Sequence, residues 1–370
     1  MRPFACGRCA STVYFENVVC GQCGALLGFS PTLRRMLAFD PPLPAPAAWQ
    51  VHVAAPGQQA DPAAGCLLQP CANRFEHGIC NWMLDLDDGQ TQCRSCRLTV
   101  AIPNLQDPLN LQRWRLFEQA KRRLVFTLLM LGLPPEAQAD APAGAFGLRF
   151  QLLASLPDQP PVLTGHDDGL ITLNLAEADD VQRETARVSL GEPQRSLLGH
   201  LRHETSHYLQ QRYIDGRPAQ DRCREMFGDE RIDYPTALAQ HYAQGAPADW
   251  QQHYVSAYAS AHPWEDWAET CAHYLLVVDA VQTAAAWGLT LAGPVTAQPQ
   301  SADGPAQSPV NDLVLHQWLP VAQFLNAMNR SLGQHDSYPY QMPDAVLAKM
   351  ALVQTLLREA AVPLPAANAQ

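Results

Sequence analysis

The chain of 370 residues has 25 Lys and Arg against 36 Asp and Glu, which gives a formal net charge of −11 at pH 7. This balance argues against a protein that coats nucleic acid, because such a surface must neutralise phosphates with clustered basic residues. Hydrophobic residues make up 47% and charged residues 16% of the chain. This composition excludes a chain that is disordered as a whole, and it predicts one large domain with a smaller one.

No segment of the sequence predicts export or membrane insertion. The first residues lack the apolar run of a signal peptide, so we expect a cytoplasmic protein whose thiols are free, catalytic or metal-bound. The longest apolar stretch, residues 124–133, is about half as long as a bilayer span requires. We therefore expect no transmembrane segment and place this stretch in a buried helix.

Two Cys-x-x-Cys turns lie near the start of the chain. Cys6 and Cys9 form the first turn, and Cys20 and Cys23 form the second, with ten residues between the two pairs. Each turn directs two thiolates toward one point, so together they complete a closed tetrahedral site with no position left for a substrate. We predict a structural zinc site here, with a redox-active or iron-bound cluster as the alternative.

A second group of five cysteines has a less regular spacing. Cys93 and Cys96 form another Cys-x-x-Cys turn, whereas eight residues separate Cys71 from Cys80. We assign these four residues to a second structural zinc and leave Cys66 out of it. The alternative is that some of the five are buried free thiols.

The remaining sequence predicts a mainly helical domain with a small β-sheet, so that the whole chain is of the α+β class. A zinc-ribbon region of residues 1–102, divided by a Pro- and Ala-rich stretch at 41–48, precedes this domain of residues 103–370. We expect the domain core to end near residue 335, with an exposed loop at 292–309 and a flexible tail at 362–370. Apolar spacing predicts helices at 107–133, 195–212, 256–261, 264–287 and 312–332, and strands at 148–153 and 170–175, the second preceded by a turn at 165–169.

An HExxH motif lies inside one of the predicted helices, formed by His203, Glu204 and His207. Positions i and i+4 share a helical face, so both imidazoles can reach one Zn²⁺. Glu204 is then placed to act as general base for the attacking water. The alternative is a polar helix with two exposed histidines.

A catalytic zinc needs a third protein ligand and one open position. Glu265 and Glu269 lie one turn apart at the start of the predicted helix 264–287, and either could bind the metal. We favour Glu265 as the ligand, with Glu269 accepting a hydrogen bond from a ligand histidine and thereby fixing its tautomer.

Two further positions are predicted near this site. The acidic run at 228–234 offers Asp229 or Asp233 as a rival third ligand. Because such a run with one arginine is more often a helix start with local ion pairs, we place Asp229 beside the ligands instead. Tyr258, seven residues before Glu265, can direct its phenol toward the metal and stabilise an oxyanion, or can be a core residue.

The motifs of the chain form a set that spans residues 1–290. Its members are the ribbon at 6–23, Cys-Ala-Asn at 71–73, Cys-Asn-Trp at 80–82, Gly-His-x-x-Gly-x-Ile-Thr-Leu at 165–173, Leu-Gly-x-x-Arg-His-Glu at 198–204, Phe-Gly-Asp-Glu-Arg at 227–231 and Ala-His-Pro-Trp-Glu-Asp-Trp-Ala-Glu at 261–269. This set resembles a family of bacterial zinc-binding metallopeptidases with an N-terminal zinc ribbon. The chain departs from that family in carrying Ser206 rather than Gly before His207, which affects the packing of this turn and removes no ligand.

The resemblance implies a zincin-like metallopeptidase domain behind a double zinc ribbon. The Glu-x-x-Ala-Glu sequence that starts at Glu265 is also similar to anthrax lethal factor and to the Mlc titration factor group. That similarity implies Glu265 as a gluzincin-type ligand and Tyr258 as a catalytic residue. We therefore expect zinc-dependent hydrolysis of a peptide or protein, with Glu204 as general base, one catalytic and two structural zinc ions, and addition of the substrate to an edge strand at 170–175.

A function of another class remains open. The ribbons could form a module that binds a protein or nucleic-acid partner, with a zincin domain that is latent or degenerate, or they could cover the active site. Arg34, Arg35 and the segment 94–97 provide local positive charge for such a partner. The acidic total disfavours nucleic acid, so a protein partner is the expectation for this module.

Overall fold

The computed structural model describes residues 2–40, 48–54, 61–142, 145–155, 160–190, 196–291, 308–338 and 341–363. Most of the Pro- and Ala-rich divider, the predicted exposed loop and the predicted tail lie outside these residues, at 41–47, 292–307 and 364–370. Within the described ranges, no helix has the length and apolar character needed to cross a membrane.

The N-terminal region consists of short antiparallel strands that carry the cysteine turns. Its elements are β1 (Phe4–Ala5), β2 (Thr12–Val13), β3 (Leu26–Ser30), β4 (Arg35–Phe39), β5 (Trp49–Gln50), β6 (Leu67–Pro70), α1 (Ala72–Glu76) and β7 (Met83–Asp85). Strand β1 pairs with β2 and β3 with β4, while β5, β6 and β7 form a three-stranded sheet in that order. Such short strands bury little apolar surface by themselves, which is typical of metal-bound ribbons.

A four-stranded mixed sheet follows, and it includes a strand from the predicted ribbon region. Its strands are β8 (Thr99–Ala101), β9 (Arg149–Leu153), β10 (Gly165–Asp167) and β11 (Leu170–Asn174), in the order β10-β11-β9-β8. Strand β9 pairs in parallel with β8 and with β11, whereas β10 is antiparallel to β11. Because β8 precedes the predicted boundary at residue 102, the two predicted regions share this sheet.

The predicted strands at 148–153 and 170–175 are confirmed, but the predicted edge is wrong. Strand β11 lies between β10 and β9, and the strands at the two ends of the sheet are β10 and β8. The segment predicted as a turn contains this strand because Asp168 and Gly169, with φ of 44° and 78°, suffice for a two-residue hairpin loop. The sequence order of the strands did not reveal their order in the sheet.

The rest of the described chain is mainly helical. Its helices are α2 (Pro108–Met130), α3 (Asp180–Leu190), α4 (Leu197–Tyr213), α5 (Ala219–Phe227), α6 (Tyr234–Gln244), α7 (Trp250–His253), α8 (Pro263–Ala286), α9 (Leu319–Ser331) and α10 (Asp344–Ala360). The predicted helix at 256–261 is only a 3₁₀ turn over Tyr258–Ala261, and the one at 312–332 begins as a π-helical segment over Asp312–Trp318 before α9.

Helix α4 packs against α2 and α8 at the centre of the molecule. One hydrophobic core runs from the cysteine turns through these helices to α10. In it, Phe126 of α2 lies against the ribbon residues Phe15 and Phe29, with ring centroids 5.3 and 5.6 Å apart. Helix α10 also buries Met350 and Val353 in this core, so the core extends beyond the predicted limit near residue 335.

Candidate metal centres

Helix α4 presents the two histidines of the HExxH motif on one face. Its first turn is capped by Ser196, whose hydroxyl accepts a hydrogen bond from the Gly199 N–H at 3.0 Å. One turn separates His203 from His207, and their rings are 5.0 Å apart between centroids. The i, i+4 spacing thus brings both imidazoles to the same point, as the sequence predicts.

Helix α8 brings Glu265 to these histidines. The Oε2 atom of Glu265 lies 3.0 Å from His203 Nε2 and 3.6 Å from His207 Nε2. This oxygen is buried and makes no hydrogen bond within the described structure. One nitrogen from each ring and one oxygen from the carboxylate all lie within 4.8 Å of one another. Two imidazoles and an unpartnered carboxylate oxygen form a donor set that suits Zn²⁺ and leaves a fourth position open.

The crossing of α4 and α8 is fixed by buried polar contacts next to the site. Arg202 Nη2 donates to Asp279 Oδ2 at 2.8 Å, and Trp267 Nε1 donates to the carbonyl of Ser206 at 3.0 Å. The Ser206 hydroxyl, fully buried, donates to the carbonyl of Arg202 at 2.7 Å. The serine before His207 is therefore accommodated by a hydrogen bond within its own helix.

Glu269 lies where the sequence analysis predicts, behind His203. Its Oε1 atom is 2.7 Å from His203 Nδ1, and its Oε2 atom accepts a hydrogen bond from the Ser256 hydroxyl at 2.6 Å. Burial raises the pKa of Glu269, but the hydrogen bond from His203, the charges of His203 and His273 and the hydrogen bond from Ser256 together outweigh burial and lower that pKa to about 2. The ionised carboxylate directs the Nδ1–H of His203 toward itself and leaves Nε2 facing Glu265.

Glu204 and Tyr258 flank the cluster. Glu204 is buried beside His203 in α4, and the ring of Tyr258 lies 6.0 Å from that of His203 between centroids. Burial, followed by the charge of Glu265, raises the pKa of Tyr258 far above its usual value. The phenol therefore keeps its proton and remains a hydrogen-bond donor at neutral pH.

The structure does not bring Asp229 to the cluster. Its exposed carboxylate accepts hydrogen bonds from the side chain of Arg231 at 2.7 Å, and these bonds lower the pKa of Asp229. Asp233 instead caps α6, where its Oδ1 accepts the Thr236 N–H at 3.0 Å. The acidic run is thus a helix start with a local ion pair, and the predicted role of Asp229 beside the ligands is not supported.

Two residues for which the sequence predicts no role lie at the site. The Tyr234 hydroxyl donates to Glu265 Oε1 at 2.5 Å. His166 on β10 stacks on His207, with ring centroids 6.2 Å apart and planes inclined by 14°. Burial lowers the pKa of His166 to about 4, so its neutral Nε2 accepts the Gly169 N–H at 3.0 Å. His166 lies in the segment predicted as a turn, and Tyr234 lies at the end of the acidic run. Their approach to the motif depends on the tertiary fold.

The first cysteine cluster has the geometry of a tetrathiolate site. The sulfurs of Cys6 and Cys23 are 3.8 Å apart, and those of Cys9 and Cys20 are 3.7 Å apart. These separations exclude disulfides, but they match the sulfur spacing of about 3.8 Å that a tetrahedron with zinc–sulfur bonds of about 2.3 Å requires. Cys9 and Cys23 are half-buried, so this site lies nearer the surface than a fully buried cluster.

The second cluster is completely buried. Cys71, Cys80, Cys93 and Cys96 each offer one sulfur to it, and the sulfurs of Cys80 and Cys93 are 3.7 Å apart. Backbone N–H groups of Trp82 and Cys93 point at the sulfurs of Cys80 and Cys71, both at 3.4 Å. Cys66 is exposed and outside the cluster, as the sequence analysis assigned it.

A buried guanidinium lies against this second cluster. Arg122 of α2 is 3% exposed, and its Nε and Nη1 atoms have no hydrogen-bond partner in the described structure. Burial lowers the pKa of Arg122, but the negative charges of Cys80, Glu118, Cys96 and Cys93 together outweigh burial and raise that pKa above its usual value. A cation without partners is costly in a protein interior unless negative charge lies nearby. Four thiolates around one Zn²⁺ keep a net negative charge, so Arg122 fits a zinc-bound cluster.

Comparisons with known proteins agree with both kinds of centre. Residues 110–356 match a family described as "Putative zinc-binding metallo-peptidase", and residues 3–107 match a zinc-ribbon domain family. Relatives from Mycobacterium bovis and Mycobacterium tuberculosis, described as uncharacterized proteins, are 40% identical over 365 residues, which is 98% of this chain and 96% of theirs. No solved structure matches the chain.

Proposed function

The chain belongs to the family described as "Putative zinc-binding metallo-peptidase", and we propose that it hydrolyses peptide bonds at the cluster of His203, His207 and Glu265 with Zn²⁺ as cofactor. The donor set supports this proposal most directly, because two imidazole nitrogens face a buried Glu265 oxygen that has no hydrogen-bond partner. Three protein ligands leave one coordination position open, unlike the four sulfurs of each cysteine cluster. Structural zinc in those two clusters would bring the total to three ions.

The side chains around the cluster have separate roles in this proposal. Zinc held there would lower the pKa of a bound water and polarise the scissile carbonyl. Glu204 accepts a proton from the attacking water and transfers it to the nitrogen of the leaving amine. Tyr258, which keeps its own proton, donates a hydrogen bond to the carbonyl oxygen as negative charge develops there. Glu269 holds His203 in the tautomer and orientation that the metal needs.

An extended substrate has a place on β10 rather than on β11. In a two-residue hairpin loop, Asp167 and Leu170 form the hydrogen-bonded pair next to the loop, so the following pair, His166 and Ile171, is not hydrogen-bonded. The N–H and C=O of His166 therefore point away from β11. Within the described strands β10 has a single neighbour, and α4 packs against it. A peptide that pairs with His166 would pass beside His207.

Substitution of the proposed base tests the reaction. We expect Glu204→Gln to lower kcat for a peptide substrate by about 100- to 10,000-fold, because an amide cannot accept the proton. Circular dichroism and elemental analysis should show the same fold and three zinc ions per chain in this variant and in the exposed-site control Glu225→Gln. Undiminished hydrolysis by a folded, zinc-loaded Glu204→Gln protein would contradict the proposed mechanism.

Removal of one backbone donor tests the substrate strand. His166→Pro deletes an N–H that points away from the hairpin, whereas His166→Ala deletes the imidazole and keeps that N–H. Since one hydrogen bond contributes about 0.5–1.5 kcal/mol, we expect KM for an extended peptide to be about 2- to 10-fold higher in the proline variant than in the alanine variant. Equal KM values in the two variants would argue against pairing of the substrate with β10.

A further inference from the structure

Tyr234 contacts the ligand carboxylate on the side that faces away from the histidines. Its hydroxyl donates to Oε1 of Glu265 at 2.5 Å, whereas Oε2 of the same carboxylate is the atom near His203 and His207. The two oxygens of Glu265 therefore have different partners. One oxygen is available to a metal, and the other is already occupied by a hydrogen bond.

The position of Tyr234 is set by the same element that carries Glu265. Tyr234 is the first residue of α6, directly after its cap Asp233. Its ring packs on His262 and Trp264 at the start of α8, with centroids 5.0 and 5.7 Å away. His262 Nε2 also lies 3.2 Å from the carbonyl of Ile232. The chain before α6 is thereby held against the first turn of α8, and the distance from Tyr234 to Glu265 is fixed.

Helix α6 lies at the surface and packs on the 3₁₀ turn over Tyr258–Ala261. None of its residues is buried, and Tyr234 itself is half-buried. The hydroxyl of Tyr234 is the group of this helix that contacts the ligand carboxylate, while His241 packs on Tyr258 with ring centroids 6.0 Å apart.

We propose that Tyr234 is a positioning residue that keeps Glu265 a single-oxygen ligand. A carboxylate can bind a metal through one oxygen or through both. Binding through both would take up the coordination position that water or a substrate carbonyl needs. The hydrogen bond from Tyr234 weakens Oε1 as a donor and holds it away from the histidines, which keeps that position open. This inference rests on the proposed function, since it concerns the same metal cluster.

The test compares Tyr234→Phe with Tyr242→Phe, the same change at an exposed position of α6. Each full-length protein is loaded with Co²⁺, and the spectrum of a His207→Ala protein treated in the same way is subtracted to remove the cysteine sites. Cobalt d–d bands lose intensity when the coordination number rises above four. We expect weaker bands and an about 10- to 100-fold lower kcat in Tyr234→Phe, with KM within about twofold of the wild type. Tyr242→Phe should match the wild type in band intensity, in kcat and in KM.

The outcomes separate this inference from the function on which it rests. Wild-type bands in Tyr234→Phe, whether or not kcat falls, would overturn the positioning role, because coordination would then be independent of the hydroxyl. A wild-type protein without any cobalt spectrum that depends on His207 would overturn the proposed metal site itself, and the inference with it. A folded Tyr234→Phe protein with weaker bands and a lower kcat would support both.

Discussion

The cysteine clusters and the histidine–glutamate cluster provide metal donors in opposite ways. Each cysteine cluster offers four sulfurs from turns and short strands, which encloses a metal completely. The other cluster offers three donors from two long helices, whose packing is maintained by contacts such as Arg202 with Asp279. A metal in each cysteine cluster would tie separate turns and short strands together, whereas the histidine–glutamate cluster lies on two helices that pack against each other through their own side chains.

The two cysteine clusters also differ from each other. The first lies nearer the surface, with Cys9 and Cys23 half-buried, while the second is buried against α2, where Cys96 lies 4.0 Å from the Glu118 carboxylate. Glu118 in turn pairs with Lys121 at 2.7 Å, and both side chains are buried. Because α2 packs on α4, the second cluster is part of the support of the HExxH helix. A partner-binding role of the ribbons, which stays a prediction, is better tested at the first cluster than by deletion of the whole region.

The largest effect should come from removing a sulfur of the buried cluster. Cys96→Ala leaves three thiolates in an apolar interior, and we expect the free energy of unfolding to fall by about 4 kcal/mol or more. Urea denaturation followed by circular dichroism measures this change, and elemental analysis should show the loss of one zinc. Cys66→Ala, at the exposed cysteine outside the cluster, is the matched control and should leave both quantities unchanged. If Cys96→Ala keeps its stability and all its zinc, the buried cysteine cluster does not couple metal binding to folding. The contrast with the histidine–glutamate cluster would then be lost.

A somewhat smaller effect should follow from removing the buried charge next to that cluster. Arg122→Met keeps an apolar chain of similar length but removes the guanidinium, which leaves the thiolates without their cation. We therefore expect a loss of about 3 kcal/mol in the free energy of unfolding. Zinc should also leave the buried cluster faster in the presence of a chelator.

Arg115→Met provides the control on the same helix, since Arg115 is exposed. If both arginine variants denature at the same urea concentration and release zinc at the same rate, the buried cluster does not carry the negative charge that four thiolates around one zinc would have. The cysteines would then be neutral thiols, and the second structural zinc would be the prediction to abandon.

Local spacing was sufficient for the donors themselves but not for the residues that support them. The Cys-x-x-Cys turns, the HExxH motif and the pair of Glu265 and Glu269 are visible because each lies within one or two turns of chain. Tyr234 and His166 reach the site only through the packing of α6 on α8 and of β10 on α4. The motif at 165–173 includes His166 without giving it a role, and nothing in the local sequence of Tyr234 distinguishes it from a residue at an ordinary helix start.

Two other features show what the sequence pattern concealed. Arg122 follows Lys121 in a helix that looks amphipathic, yet both are buried because negative groups of the ribbon and of α2 face them. The apolar spacing of Val346, Met350 and Val353 in α10 was a helical signal that the predicted core limit left out. Charge pairing across distant segments cannot be derived from spacing, whereas the missed helix could have been.

The smallest of these effects concerns the support of a ligand in the open cluster. Glu269→Gln keeps the shape of the side chain but removes the charge that orients His203 through Nδ1. We expect zinc to bind to this cluster about 10- to 100-fold more weakly, which corresponds to about 1.4–2.7 kcal/mol, with an unchanged free energy of unfolding when only this cluster is empty. Competition with a fluorescent zinc chelator measures the affinity, and Glu225→Gln, an exposed glutamate of α5, is the control.

The result would sharpen the contrast between the two kinds of centre. In the buried cysteine cluster, loss of a donor should weaken metal binding and folding together, since the metal ties the turns of that region together. In the histidine–glutamate cluster, α4 and α8 remain joined by the Arg202–Asp279 and Trp267–Ser206 contacts when Glu269 is changed. Weaker zinc binding without loss of stability would show that this cluster is built on an independent scaffold. A parallel loss of stability would mean that the metal also holds the two helices together. The two kinds of metal centre would then not differ in how they depend on the fold.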